Sequence, residues 1–315
     1  MSRNLATLTL LLAMLATPTL AQVPARPLPT RKAAQSQAAS PTGVGSNPFV
    51  LIDYPGAIAS QYPAGINDRG KIVGIAGFAD GSFRGYLLQG NTFKDIVFPG
   101  AAATAAYGIN KSGLVVGIFC DDLTCDTSHS FSLKGKTYTA FDFPGGLNTN
   151  AYAANAAGDI VGIYQTPDLV AHGFLLHKGA FTSIDGPGAS LTYVFSINDH
   201  GTIAGIYGMP DGTSHGFTLQ NGIFTNIDYP GATGTQPLGI NNNGDIVGLL
   251  TDAQDNHNHG FLLVGGVFTV FDVPFPGSIS TIPGGLNNNH QIVGSYGTYP
   301  PEAPEDYFFG FLTTY

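Results

Sequence analysis

Four histidines recur at one point of a repeating pattern: His129, His172, His215 and His259 each stand one residue before a Gly-Phe or Ser-Phe pair. Evenly recurring imidazoles invite a metal ion, but zinc holds nitrogen at about 2.0–2.1 Å and requires its ligands to converge. A second set is acidic. Eleven of the 21 Asp and Glu residues fall in the segments that vary most between repeats: Asp80, Asp121, Asp122, Asp126, Asp168, Asp211, Asp252, Asp255, Glu302, Glu305 and Asp306. Carboxylates gathered this way suit a cationic ligand or Ca²⁺, which takes roughly six to eight oxygen ligands. Asp252, Asp255 and Asp306 are the candidate metal ligands, and no cofactor other than Ca²⁺ is expected. The plainer reading is that exposed loops collect Asp and that net charge keeps a protein soluble. No segment has the Asp-x-Asp-x-Asp-Gly spacing of a self-contained Ca²⁺ loop.

A third set, Tyr62, Asn150, Tyr193 and Gln236, shares a register five residues before a recurring Asn and varies where its neighbours repeat. Tyrosines that stack and amides that hydrogen-bond are the equipment of a small-molecule or glycan site. One residue earlier stand Gln61, Thr104, Thr149, Thr192, Thr235 and Thr281, which read either as a polar ring or as turn-capping hydroxyls. Cys120 and Cys125 lie in one loop and are expected to form a local disulfide in an oxidising compartment. A serine-nucleophile elbow, a His-Glu-x-x-His helix and a phosphate-cradling glycine loop are all missing from the sequence.

The elements that must position these residues come from an internal repeat. Asn67, Asn110, Asn155, Asn198, Asn241 and Asn287 follow one another at spacings of 43, 45, 43, 43 and 46 residues. A period in this range signals a solenoid, propeller or array. Each copy reads as four short strands: one leading into the Asn, an Ile-Val-Gly run, a run opening at Gly-Phe, and a Phe-Thr-x-Ile-Asp run stopped by Pro-Gly. The Asn-x-x-Gly link suits a tight hairpin, and Pro ends a strand because it donates no ladder hydrogen bond. Four such strands per repeat match a propeller blade. The last copy ends at Tyr315 without its fourth strand, and the first is preceded by an orphan fourth strand, Phe49–Asp53. The sequence therefore predicts an all-β, six-bladed β-propeller of four strands per blade, closed by the N-terminal strand pairing into the last blade. Five blades, with the last degenerate, is the variant.

In that architecture the loops between strands two and three share a face with the loops from strand four to the next strand one, so the eleven loop acids should make one face negative. All eight Lys and Arg of the repeat region lie between Arg69 and Lys178, and none follows, which predicts a negative arc over blades four to six. The histidines open strand three, two strand spacings of roughly 4.8 Å out from the axis-lining strand, so imidazoles of different blades cannot meet. The expected role is a hydrogen bond to nearby backbone.

Residues 1–21 read as a secretory signal, with Arg3, an apolar run from Leu5 to Leu15, and Thr19-Leu20-Ala21 at the cleavage point. That run is too short to span a membrane. Residues 22–46, rich in Pro, Ala, Ser and Gln, read as a flexible tether, and residues 47–315 as one domain. The net charge of −9 argues against nucleic acid, which needs a basic stripe.

The run Gly-Ile-Asn-x-x-Gly-x-Ile-Val-Gly, followed by His-Gly-Phe-Leu, resembles the extracellular HAF-repeat family of bacteria over about residues 47–315. Gly or Ser130 stands where that family has Ala, and Arg84 and Phe309 replace the His in two repeats. The resemblance implies a secreted bacterial repeat protein and carries over no catalytic residue. The leading expectation is a secreted or periplasmic, monomeric, non-enzymatic protein that binds a glycan, small molecule or protein on its acidic face. The alternative is an extracellular hydrolase or lyase acting on sugars or lactones, with Ca²⁺ assisting.

Overall fold

The computed structural model describes residues 48–58, 61–253, 255, 257–298 and 307–315. The leader at 1–21, the tether at 22–46 and Asp306 lie outside them. After β1 (Val50–Ile52), blade one comprises β2 (Gln61–Ile66), β3 (Ile72–Gly77), β4 (Phe83–Gln89) and β5 (Thr92–Ile96). Blade two comprises β6 (Ala103–Ile109), β7 (Val115–Cys120), β8 (His129–Lys134) and β9 (Thr137–Phe141). Blade three comprises β10 (Thr149–Ala154), β11 (Ile160–Gln165), β12 (Ala171–His177) and β13 (Ala180–Ile184). Blade four comprises β14 (Leu191–Ile197), β15 (Ile203–Gly208), β16 (Ser214–Gln220) and β17 (Ile223–Ile227). Blade five comprises β18 (Ala232–Ile240), β19 (Ile246–Asp252), β20 (Asn258–Val264) and β21 (Val267–Phe271). Blade six comprises β22 (Ser278–Leu286), β23 (Gln291–Thr298) and β24 (Tyr307–Thr314), with β1 as its fourth strand.

The six sheets are antiparallel, and the first strand of each blade touches the first strand of the next all the way round, β22 meeting β2. This is a six-bladed β-propeller. Closure is as the sequence predicts: β1 pairs with β24, Val50 opposite Leu312 and Ile52 opposite Gly310. No open strand edge is left between the first and last blades.

The hairpin that follows each first strand is held by its Asn. The Asn67 side-chain oxygen accepts the backbone N–H groups of Arg69 and Lys71 at 3.0 and 3.1 Å, and the turn closes at Gly70, whose φ of +68° no ordinary residue adopts cheaply. The same geometry recurs in the other blades, with His290 at φ +62° taking the glycine's place in blade six. The side-chain amide then reaches the next blade. Asn67, Asn110, Asn198, Asn241 and Asn287 donate to the carbonyls of Asn110, Asn155, Asn241, Asn287 and Asn67 at 3.0, 2.7, 3.0, 3.3 and 3.0 Å. At the remaining junction Asn155 turns to Asp159, and the Ala156 N–H donates to the Asp199 carboxylate at 2.7 Å instead. All six asparagines are buried.

Every first strand carries a β-bulge three residues before its Asn, at Ala64, Tyr107, Tyr152, Phe195, Leu238 and Gly284, where the ladder to the second strand skips one residue. A bulge kinks the strand and re-aims a side chain. It also explains the invariant Gly of the Ile-Val-Gly run. A Cβ on Gly74, Gly117, Gly162, Gly205, Gly248 or Gly294 would run into the carbonyl oxygen of the residue five before the Asn, Tyr62 in blade one and Asn150 in blade three.

Between blades the faces are apolar. Phe131, Phe174, Phe217, Phe261 and Phe311, from the Gly/Ser-Phe pairs, are fully buried, each contributing about 1.5–3 kcal/mol of apolar burial. In blade one the same position is Tyr86, also fully buried, and its hydroxyl has no hydrogen-bond partner.

Two outcomes follow from these contacts. Tyr86→Phe removes an orphaned hydroxyl, so it should stabilise by about 1 kcal/mol and raise the midpoint of a thermal melt by about 2–4 °C. Asn110→Ala removes the inter-blade donor to the Asn155 carbonyl and strands the Ser112 and Leu114 N–H groups, and should lower stability by on the order of 3 kcal/mol in a urea titration.

Candidate functional site

Hydrogen bonds show what five of the loop carboxylates do. Asp80 accepts the N–H and hydroxyl of Ser82 at 2.9 and 2.6 Å. Asp122 accepts those of Thr124 at 2.9 and 2.6 Å, and Asp211 those of Thr213 at 3.0 and 2.7 Å. Asp168 takes the Thr166 hydroxyl at 2.6 Å, and Asp255 takes the His257 N–H at 2.9 Å. One such carboxylate therefore shapes the loop between strands two and three in each of blades one to five. These bonds favour the ionised form. The Ser82 hydroxyl holds Asp80 below the usual carboxylate range, the Thr124 hydroxyl does so for Asp122, and the Thr166 hydroxyl for Asp168. For Asp211 and Asp255 the main cause is a backbone N–H, of Thr213 and His257 respectively. All five are exposed to solvent and stay charged.

Among the described residues no group of three or more His, Cys, Asp or Glu side chains is placed to hold a metal ion. Of the three candidate metal ligands, Asp252 ends β19, Asp255 turns to its own loop, and Asp306 lies outside the described residues.

The histidines bond a carboxylate, which corrects the expected backbone partner. His129, His172, His215 and His259 reach Asp142, Asp185, Asp228 and Asp272 at 2.7, 2.6, 2.9 and 2.9 Å, each the Asp just after the fourth strand of the same blade. Three of the rings also lie against an aromatic of strand two, Phe119, Tyr164 or Tyr207. Arg84, in the His position of blade one, pairs with Asp95 at 3.6 Å. The sequence could have shown this, since every His has its Asp 13 residues later, and Arg84 has Val97 there.

The ring of threonines is a set of caps. The hydroxyls of Thr104, Thr149, Thr192, Thr235 and Thr281 accept the N–H groups of Phe98, Phe143, Gly186, Tyr229 and Val273 at 2.8–3.0 Å, and Gln61 does the same for Tyr54 at 2.7 Å. Each cap fixes the loop that enters its blade.

The channel candidates separate. Tyr62 is buried in a cluster with Ala105, Ile118 and Ile282, and the Asn150 side-chain oxygen accepts the Ser128 hydroxyl at 2.6 Å. Tyr193 and Gln236 are half-buried. The bulges supply aromatics that the sequence reading passed over. The Tyr107 and Tyr152 rings meet edge to face at 5.0 Å, Tyr152 lies 5.8 Å from Phe195, and Phe195 stacks near Tyr193 at 6.1 Å. Burial pushes the phenols of Tyr62, Tyr107, Tyr152 and Tyr193 above their ordinary range, and Tyr62 and Tyr152 raise Tyr107 further. These rings gather on the side of the channel formed by blades one to four. Cys120 and Cys125 are joined by a disulfide, and both pack against the channel cluster.

No protein-family model matches this sequence, and no curated protein is a recognisable relative. Solved structures share its architecture. AofleA from Arthrobotrys oligospora superposes with a TM-score of 0.55 at 12% identity, over 89% of this chain and 90% of that one. TolB from Acinetobacter baumannii gives 0.53 at 13% identity, over 72% of this chain and 55% of that one. A lectin from Aleuria aurantia, solved with Fucα1-6GlcNAc, superposes more loosely, with a TM-score of 0.48 at 11% identity over 81% of this chain and 96% of that one. At such identities the likeness establishes the propeller fold. Among the described residues no helix is long and apolar enough to cross a membrane.

A pH prediction comes from His259, which lies between Asp272 and Asp255, 3.4 Å away on its other side. Burial works to lower its pKa, but the Asp272 hydrogen bond and the two carboxylate charges outweigh it and leave it raised. A raised folded-state pKa means that the stabilisation from this histidine is fully present below the unfolded value of about 6.5 and is lost as pH rises through the folded value. An NMR titration of the His259 ring should place its midpoint above that of an unfolded-peptide histidine, and Asp272→Asn should lower it.

Proposed function

We propose that this protein is a secreted, non-enzymatic propeller whose partner, a protein, glycan or small molecule carrying positive charge, docks on the acidic loop face. The observation that carries this reading is the repeated loop carboxylate: exposed, held ionised by its own Ser, Thr or backbone donors, present in each of blades one to five, and part of no metal-holding group among the described residues. Spread, fixed charges favour steering and docking over chemistry, which needs a general acid and base aimed at one bond. A hydrolase or lyase acting on sugars or lactones would need such convergence. The leader-like residues 1–21 and the resemblance to the HAF-repeat family support secretion. The half-exposed Tyr193 and Gln236 offer the same partner a stacking ring and an amide at the channel.

The test uses polylysine as the cationic probe. Asp80, Asp122, Asp168 and Asp211 are replaced together by Asn, which keeps an acceptor oxygen for each loop. The wild type should bind with an affinity that falls as salt rises, and the variant should bind at least about tenfold more weakly. Equal binding by both proteins refutes the acidic face as the docking surface. Thermal melts in millimolar Ca²⁺ and in EDTA should coincide. A rise in Ca²⁺ that disappears in Asp252→Asn/Asp255→Asn would convert the face into a metal site, since only a ligand of the folded state moves the midpoint.

A further inference from the structure

A groove of about 570 Å³ opens between blades four and five, on the side of the ring opposite the acidic loops, where the hairpin turns emerge. Its origin can be traced to one position. In the third strand, the residue two after the Gly/Ser of the Gly/Ser-Phe pair is Leu87, Leu175, Leu262 and Leu312 in blades one, three, five and six, and each packs into an inter-blade core. Blades two and four depart from this, with Ser132 and Thr218. Blade two compensates. The last residue of its fourth strand is Phe141, where blade four has Ile227, and the Phe141 ring lies 6.4 Å from that of Phe181 in the next blade. Blade four combines the short Thr218 with the smaller Ile227, so the space beside them stays open.

The groove has two unlike walls. Blade five contributes Ile240, Ile246, Leu263 and Phe268, an apolar surface with one aromatic ring. Blade four contributes Thr218, Gln220 and Thr225, and the turn residues His200, Asn242 and Asn243 form the rim. The lining has no Lys or Arg, so an anionic group finds no counter-charge. Its one carboxylate, Asp228, is engaged by His215 at 2.9 Å, so a cation finds little free charge either. An apolar wall facing hydroxyls and amides fits a molecule with a C–H face and polar edges and no net charge.

We propose that this groove binds one neutral sugar ring per molecule, its C–H face against Phe268 and its hydroxyls on Thr218, Gln220 and Asn243. Leucines take the corresponding position in blades one, three, five and six, and Phe141 packs toward Phe181 beside Ser132 in blade two, so among the described residues the propeller is expected to offer one such site despite its six repeats. The site lies on the face away from the carboxylates, so it stands or falls independently of docking on the acidic loops.

The test is saturation-transfer NMR on the purified protein with neutral methyl hexopyranosides at millimolar concentration, and N-acetylneuraminic acid as the anionic control. At least one neutral glycoside should receive transfer and the acid should not. Thr218→Leu, which restores the residue found in four other blades, should keep or raise the melting midpoint and weaken binding about tenfold or more. Gln220→Ala, at an exposed position, should weaken it without touching the fold. The proposal is overturned if no neutral glycoside receives transfer, or if transfer persists unchanged in both variants while they remain folded.

Discussion

The buried asparagine at each hairpin is the interaction on which the ring depends. One side chain does two jobs that elsewhere need separate groups. Its oxygen organises the local turn by accepting two N–H groups of its own chain, and its amide donates to the matching carbonyl one blade further on. A turn that shifted would withdraw the donor from the neighbouring blade, so local hairpin geometry and the spacing between blades are set together. A buried amide without its partner is costly, which is why the residue returns at every blade while its neighbours drift. The sense of donation is constant, from each blade to the next in chain order, and it continues through Asn287 to Asn67, between residues 220 positions apart.

Closure reinforces that ring from the outside. β1 completes the last blade, and Tyr315 adds a second tie, its hydroxyl donating to Asp245 at 2.9 Å and accepting from the Asn241 amide at 3.1 Å. Both chain ends of the described propeller are thus pinned to other parts of the ring. The Asn155 junction departs from the pattern, and there the link passes to the Asp199 carboxylate.

The architecture was legible because its signals are local. The spacing of the six asparagines, the Asn-x-x-Gly turns and the Pro-Gly stops each mark one element, and the missing last strand marks closure. The sites were less so, for identifiable reasons. Tyr62 and Asn150 were chosen because they vary within a repeat, but variation does not report burial, and both side chains are committed to neighbours. The residues two positions on, Ala64, Tyr107, Tyr152, Phe195, Leu238 and Gly284, vary as much and sit at the bulges. The same criterion would have found them, but a bulge leaves no signature in an alternating pattern. The Thr218 break was visible in the sequence, whereas its importance was not, because it depends on Phe141 filling the equivalent gap in blade two. That is a contact between blades, outside the reach of any single repeat.

The charge separation proposed between the two faces has a kinetic consequence. Arg69, Lys71, Lys111, Lys136 and Lys178 sit on hairpin turns of blades one to three and Lys134 ends β8 beside one, on the side away from the loop carboxylates, where Asp68, Asp159, Asp199 and Asp245 offset part of their charge. On the proposed reading of the loop face, the propeller acts as an electric dipole tilted across its axis. Within about 8 Å of a charged surface, the screening length at physiological salt, such a body turns before it touches. A cationic surface would draw the loop face forward and leave the hairpin face open to solution. An anionic one would turn the molecule over.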